Sequence, residues 1–261
     1  MRTAPAPAKA PAGAVAFRCN LCGAKAHATM AALSRETPSC ARCGSTVRFR
    51  SIAQLVVREL TGEDVPLPEV QPRRDLVGLG LSDAACYAAP LARAFDYRNT
   101  WFHTEPRLDI TAIDPALRGR HDFVIASDVF EHVTPPVSRA FDGVLALLKP
   151  GGTLVMTVPF SLEADTVEHY PELHEWSVQQ ADGVWRVVNL TADGRVQRFD
   201  APVFHGGPGT TLEMRLFSRD ALMRVLARAG FTGVRVADEP CMAFGIHWPE
   251  PWSVPIVAKA P

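Results

Sequence analysis

Residues 122–133 read Asp122-Phe-Val-Ile-Ala-Ser127-Asp128-Val-Phe-Glu131-His132-Val133, and residues 147–159 read Leu147-Leu148-Lys149-Pro150-Gly151-Gly152-Thr-Leu-Val-Met-Thr-Val158-Pro159. The first begins as an apolar strand that ends at small and acidic residues. A helix of about four turns is expected next, and the Lys-Pro-Gly-Gly turn then feeds a second buried strand. Strand, helix, strand is the repeating unit of a doubly wound α/β sheet. Such sheets bind their ligands beyond the carboxyl ends of the strands, which is where Ser127, Asp128, Glu131 and His132 stand.

The 261 residues, 47% of them hydrophobic, suffice for one α/β domain and a small accessory module. A formal net charge of −1 provides no global field toward nucleic acid or membrane. No apolar run nears the roughly 20 residues of a membrane helix, and the Ala- and Pro-rich start lacks the apolar core of a secretory signal. A cytoplasmic protein without membrane contact is expected. Residues 1–13 carry too few large apolar side chains to fold and are expected as a disordered arm.

Four of the six cysteines fall as Cys19-x-x-Cys22-Gly and Cys40-x-x-Cys43-Gly, separated by 17 residues. Two such knuckles complete a tetrahedral four-thiolate zinc site with no open position, and hence a structural one. Two disulfides or free thiols are the alternative, disfavoured in a reducing compartment. A ribbon over residues 14–60 is expected, ending in a packing helix from Ile52 to Leu60, then a linker at 61–72 and a catalytic domain at 73–261. Met1–Leu60 holds nine Lys and Arg against two acids. Arg42, Arg48 and Arg50, with Phe49 among them, could hold a phosphate or a base, or could cover a surface and pair with acids.

Asp75–Asp83 followed by Ala84–Phe95 reads as strand, glycine turn and helix. Glycines allow close backbone approach to a nucleotide-like cofactor, and helix-start amides hold a carboxylate. The opening motifs resemble the fourth and fifth strands of the class I S-adenosylmethionine-dependent methyltransferases. Residues 95–112 (FDYRNTWFHTEPRLDITA), 127–133 (SDVFEHV), 205–218 (HGGPGTTLEMRLFS) and 244–258 (FGIHWPEPWSVPIVA) extend the likeness to a bacterial group with an N-terminal zinc ribbon. The resemblance implies a Rossmann-like, seven-stranded methyltransferase sheet with S-adenosylmethionine as cofactor. It places Gly78, Gly80, Ser82 and Asp83 at the methionyl end. Here the sequence departs from the family pattern: the leading acid is absent and Ser82 replaces the third glycine, so Asp83 would take over the ammonium. Glu105 is expected to end the second strand and accept both ribose hydroxyls. Asp109 and Ile110 would read the adenine, although an Asp closing a turn is an equal reading of Asp109. Ser127 and Asp128 would border the sulfonium.

Between Pro159 and Ser218 lie 58 residues, more than a connection requires, and this insertion at 160–217 is expected to form a substrate lid. Within it, Trp185–Leu190 and Arg195–Phe199 flank Asp193-Gly194, a hairpin signal. Methyl transfer to a hydroxyl needs the proton removed, which suits histidine near neutral pH. His132, His174 and His205 are the candidate bases, with Asp128 and Glu131 behind them. A metal site built from His169, Glu172 and His174 has only loop spacing to support it. Ser218 and Gly230 bound a further helix, and Phe231–Ala237 with Ser253–Ala258 would form the final antiparallel pair. The leading functional expectation is methyl transfer to oxygen or nitrogen of a small-molecule or glycan-like acceptor. The alternatives are a zinc-ribbon RNA methyltransferase, and a non-catalytic zinc-stabilised binding protein on the same fold.

Overall fold

The computed structural model describes residues 13–261; the expected arm at 1–13 lies, but for Gly13, outside them. Strands β1 (Val15–Arg18) and β2 (Lys25–Ala28) form an antiparallel hairpin. Helix α1 (Val47–Thr61) starts where the Thr46 side chain accepts from the Phe49 amide, and stops at Gly62. Next come β3 (Arg73–Leu81), α2 (Ala85–Ala94), β4 (Phe95–Thr100), β5 (His121–Ser127), α3 (Ser138–Leu147) and β6 (Leu148–Thr157). The insertion contributes β7 (Phe160–Ser161), β8 (Val167–Glu168), β9 (Glu175–Ala181), β10 (Val184–Leu190), β11 (Val196–Asp200), β12 (Phe204–His205) and β13 (Thr211–Leu212). Strand β14 (Arg215–Ser218), helix α4 (Arg219–Ala229) and strands β15 (Thr232–Val236) and β16 (Ile256–Lys259) close the chain.

Two compact units result. The first comprises the chain up to Leu76 with Ala84–Arg98 and Ala237–Pro251. In it α1 packs on α2, and Phe49 meets Tyr87 at 5.2 Å between ring centroids. Residues 61–72, expected as a linker, hold a turn whose Leu67 is buried and donates its amide to the Asn20 carbonyl.

The second unit comprises Val77–Asp83, Asn99–Val236 and Trp252–Pro261. The central sheet has the order β15-β16-β6-β5-β3-β4, with β3, β5 and β6 parallel and β16 and β15 antiparallel beyond them. Phe123–Ala126 of β5 are fully buried, as expected of a strand covered on both faces. Gly78 faces Phe123 so closely that an added Cβ would lie 2.0 Å from the ring. Gly143 of α3 likewise abuts the Ile110 carbonyl, 1.8 Å from where a Cβ would stand. Glycine at these two positions sets the strand and helix spacing.

The sheet has six strands, where the resemblance implies seven. The stretch after β4 forms turns in place of an edge strand, because Asp109 accepts from both the amide and the hydroxyl of Thr111. Strand β4 ends at Thr100 and does not run on to Glu105: the Trp101 amide donates to the Pro106 carbonyl and the Leu108 amide to Trp101, closing a loop. The helix after β5 has ten residues, preceded by a single-turn 3-10 helix at Phe130–His132. The final antiparallel pair and the Ser218-capped helix form as expected. In the insertion, the hairpin pairs Leu190 with Val196 and β9 adds a third strand. The insertion has its own core, made from Tyr170, Val187, Leu212 and Met214.

Candidate active site

Strand β5 ends in a run of strained and polar backbone. Asp128 adopts φ +54°, sparsely populated for a residue with a side chain. It is held there by its amide donating to the Thr157 carbonyl and its carboxylate accepting from the Thr157 hydroxyl at 2.8 Å. Ser127 Oγ lies 3.2 Å from the same hydroxyl. The next strand end repeats the pattern. Ser82 has φ +60°, its amide donates to the Thr100 carbonyl at 2.7 Å, and Asp83 exchanges two hydrogen bonds with the Asn99 side chain at 2.9 Å.

These segments carry the residues expected at the methyl donor. Gly78 and Gly80 lie within β3, opposite Phe123 and Ile125. Gly78 serves the packing described above, while the Gly80 carbonyl accepts from Thr100 Oγ1 at 2.8 Å. Glu105 is exposed on the loop after β4 and accepts from the Arg107 amide at 3.0 Å. Asp109 closes its turn, and the neighbouring Ile110 is buried against α3. Glu105 is exposed and Asp109 and Asp128 are half-buried, and carboxylates of this kind accept from hydroxyl and amine donors.

The single-turn helix after β5 carries the most distinctive chemistry. Glu131 is fully buried, and neither carboxylate oxygen has a hydrogen-bond partner among the described residues. His132 Nε2 lies 3.7 Å from Glu131 Oε1, and His205 Nδ1, delivered by β12, lies 3.5 Å from the same oxygen. The two imidazoles are 5.1 Å apart between centroids. Burial pushes the Glu131 carboxyl up to about 7. Burial lowers His132, whereas the Glu131 carboxylate raises His205. His132 Nδ1 contacts the Leu212 carbonyl at 2.7 Å; a carbonyl only accepts, so this nitrogen carries the proton and Nε2 keeps its lone pair.

The backbone beneath this cluster is pinned from the insertion and β14. Arg215 is fully buried and donates to the carbonyls of Phe130 at 2.9 Å and Val133 at 2.7 Å, and also to Glu168 at 2.8 Å. The Met214 amide donates to the Glu131 carbonyl. Sequence reasoning missed Arg215. Its only signal was a charged residue in the otherwise apolar Met214–Phe217 stretch.

His174 lies outside the cluster. Its side chain is 54% exposed and its nearest carboxylate is Glu175, at 4.0 Å. The grouping of His169, Glu172 and His174 does not form either, since His169 pairs with Glu213 and Glu172 with Arg195.

In the first unit the four cysteine sulfurs lie within 4.8 Å of one another, Cys19 to Cys43 at 3.6 Å and Cys22 to Cys40 at 3.7 Å. A tetrahedron with zinc–sulfur bonds of about 2.3 Å has edges of about 3.8 Å, so the four sulfurs fit the ion. A second observation agrees. Arg50 is fully buried, yet it donates only to neutral oxygens of Ser39, Ser45 and Gly245 and stacks on Phe17. A buried cation requires an opposite charge, and four thiolates with a divalent ion sum to two negative charges. Ser45 Oγ bridges toward it, 3.1 Å from Arg50 and 3.3 Å from Cys19 Sγ. Arg48 pairs with Glu36 at 2.7 and 2.8 Å. Two of the three arginines that suggested a nucleic-acid face are thus engaged inside their own unit.

Residues 61–236 match the family model described as a methyltransferase domain. No curated protein matches the chain. Among solved structures, the chain is similar to the 1,6-didemethyltoxoflavin-N1-methyltransferase of Burkholderia thailandensis, with 14% identity over 80% of this chain and 78% of that one and a TM-score of 0.45. It is also similar to an amino pentose methyltransferase from Micromonospora echinaspora, with 16% identity over 84% and 93% and a TM-score of 0.45.

Proposed function

The chain belongs to the methyltransferase-domain family, and from that premise we propose that it methylates oxygen or nitrogen of a small-molecule or carbohydrate-like acceptor at the Glu131–His132–His205 cluster. The methyl donor in this proposal is S-adenosylmethionine. The observation that carries the reading is that the insertion delivers His205 to within 3.5 Å of a buried glutamate at the end of β5. A lid that supplies part of the reactive cluster encloses an acceptor of limited size.

Bound S-adenosylmethionine supplies an electrophilic methyl group on a sulfonium. The chain's own residues bind and orient it: Glu105 accepts from the ribose hydroxyls, Asp109 and Ile110 meet the adenine, Asp83 with Ser82 and Gly80 receives the amino-acid end, and Ser127 and Asp128 border the sulfonium. The Glu131 cluster holds the acceptor and takes charge of its proton. Cys19, Cys22, Cys40 and Cys43 hold a zinc ion that is structural and takes no part in transfer.

Calorimetric titration with S-adenosylmethionine and S-adenosylhomocysteine tests the donor site. Micromolar binding, weakened in Glu105→Ala by about 1–3 kcal/mol as for loss of charged hydrogen bonds, is expected. Unchanged binding in that variant overturns the role of Glu105. A screen of hydroxylated and aminated sugars and heterocycles with radiolabelled donor then tests the acceptor class. Transfer to RNA in place of small molecules would overturn it.

A further inference from the structure

Three electron-pair donors converge at the end of β5. We propose that Glu131, His132 and His205 bind a divalent cation through Glu131 Oε1, His132 Nε2 and His205 Nδ1. These ligand atoms all lie within 4.8 Å of one another, two of the separations being 3.7 and 3.5 Å. Bonds of about 2.0–2.2 Å to a cation bring neighbouring ligand atoms about 3.0–3.5 Å apart, so the two separations from Glu131 need to close by at most a few tenths of an ångström.

Two independent features point to a cation. Glu131 is fully buried and neither oxygen accepts a hydrogen bond among the described residues; its basic neighbours are the two imidazoles, at 3.7 and 3.5 Å, contacts too long to satisfy a buried carboxylate that ligation of an ion would satisfy. His132 donates Nδ1–H to the Leu212 carbonyl, the arrangement that orients a ligating imidazole and fixes its tautomer. Its Nε2 lone pair thereby faces Glu131 Oε1. A cation between the two atoms would be bonded by both. The supporting backbone is rigid on both sides, through Arg215 to Phe130 and Val133 and through Met214 to Glu131.

The donor set of two imidazoles and one carboxylate favours manganese, iron, cobalt or zinc, and differs from the softer all-thiolate set of the four cysteines. Three protein ligands leave coordination positions for an acceptor. A hydroxyl oxygen that gives a lone pair to the cation loses its proton to water more readily. That oxygen then bonds to the donor methyl carbon, while the carbon–sulfur bond breaks with its electron pair remaining on sulfur. This chemical role rests on the methyl-transfer reading above; the binding itself does not.

The test is titration with Mn2+ alone of full-length protein that carries one zinc per chain, the four-thiolate complement, followed by the loss of the free-ion paramagnetic resonance signal. One Mn2+ bound per chain is expected, with affinity reduced at least about tenfold in Glu131→Gln and in His205→Ala, as for loss of a direct ligand. Absence of binding in the parent protein, or binding that both variants retain, overturns the proposal. Glu131→Gln keeps the side-chain shape, and its melting temperature confirms that it is folded. S-adenosylhomocysteine titration of the same samples separates the two readings. Homocysteine-ligand binding without Mn2+ binding defeats the metal site alone, while Mn2+ binding without it defeats the donor site alone.

Discussion

Gly78 has a packing role that its place in a glycine turn did not announce. The sequence places it in a cofactor turn, but the structure puts the Phe123 ring 2.0 Å from where its Cβ would be. Gly78→Ala should therefore destabilise the fold by about 1–3 kcal/mol through overpacking, read as a lower urea midpoint, and not merely weaken donor binding. An unchanged midpoint would return Gly78 to a cofactor role. At Glu131 the sequence offered a reserve base beside a favoured histidine. The structure makes the glutamate central, because burial and convergence of partners cannot be seen in a Glu-His pair. His174 stands apart from that cluster, and a histidine in a polar, aromatic stretch says nothing about which way it faces.

Helix α4 was legible end to end. Ser218 accepts from the Ala221 amide and Gly230 closes the helix at φ +102°. Both caps act locally, so the sequence contains them. Ser218→Ala should cost about 1–2 kcal/mol, a cap loss to which the lost bond to the Ala164 carbonyl adds, measurable by thermal unfolding. A change within error would assign the helix start to packing alone. The hairpin of β10 and β11 was legible for the same reason, through Asp193-Gly194. The missing edge strand was not. The family resemblance implied a seventh strand without locating it, and after β4 the Asp109–Thr111 bonds fold the chain into a turn. The Ile110 carbonyl then packs against Gly143 of α3, a contact that no local pattern announces.

Over the whole molecule, the ribbon is expected to depend on its metal. One zinc per chain should be released when the thiols are modified. With it should go the cooperative unfolding of the first unit, because the buried Arg50 loses the charge that offsets it. Retention of the melting profile after zinc release would refute a structural ion. Among the described residues no helix is long and apolar enough to cross a membrane. The strand–helix–strand unit around β5 and β6, the clustering of the four cysteines and the caps of α4 were determined by the sequence alone. They depend on hydrophobic periodicity, on spacing within a turn and on backbone preference, all properties of neighbouring residues. Only the tertiary structure brought His205 to Glu131 and His132, positions more than seventy residues apart, and buried Arg215 and Arg50 as cations beneath the two sites. The path of an inserted segment and the burial of a charge are set by long-range packing, for which no local pattern in the chain provides a sign.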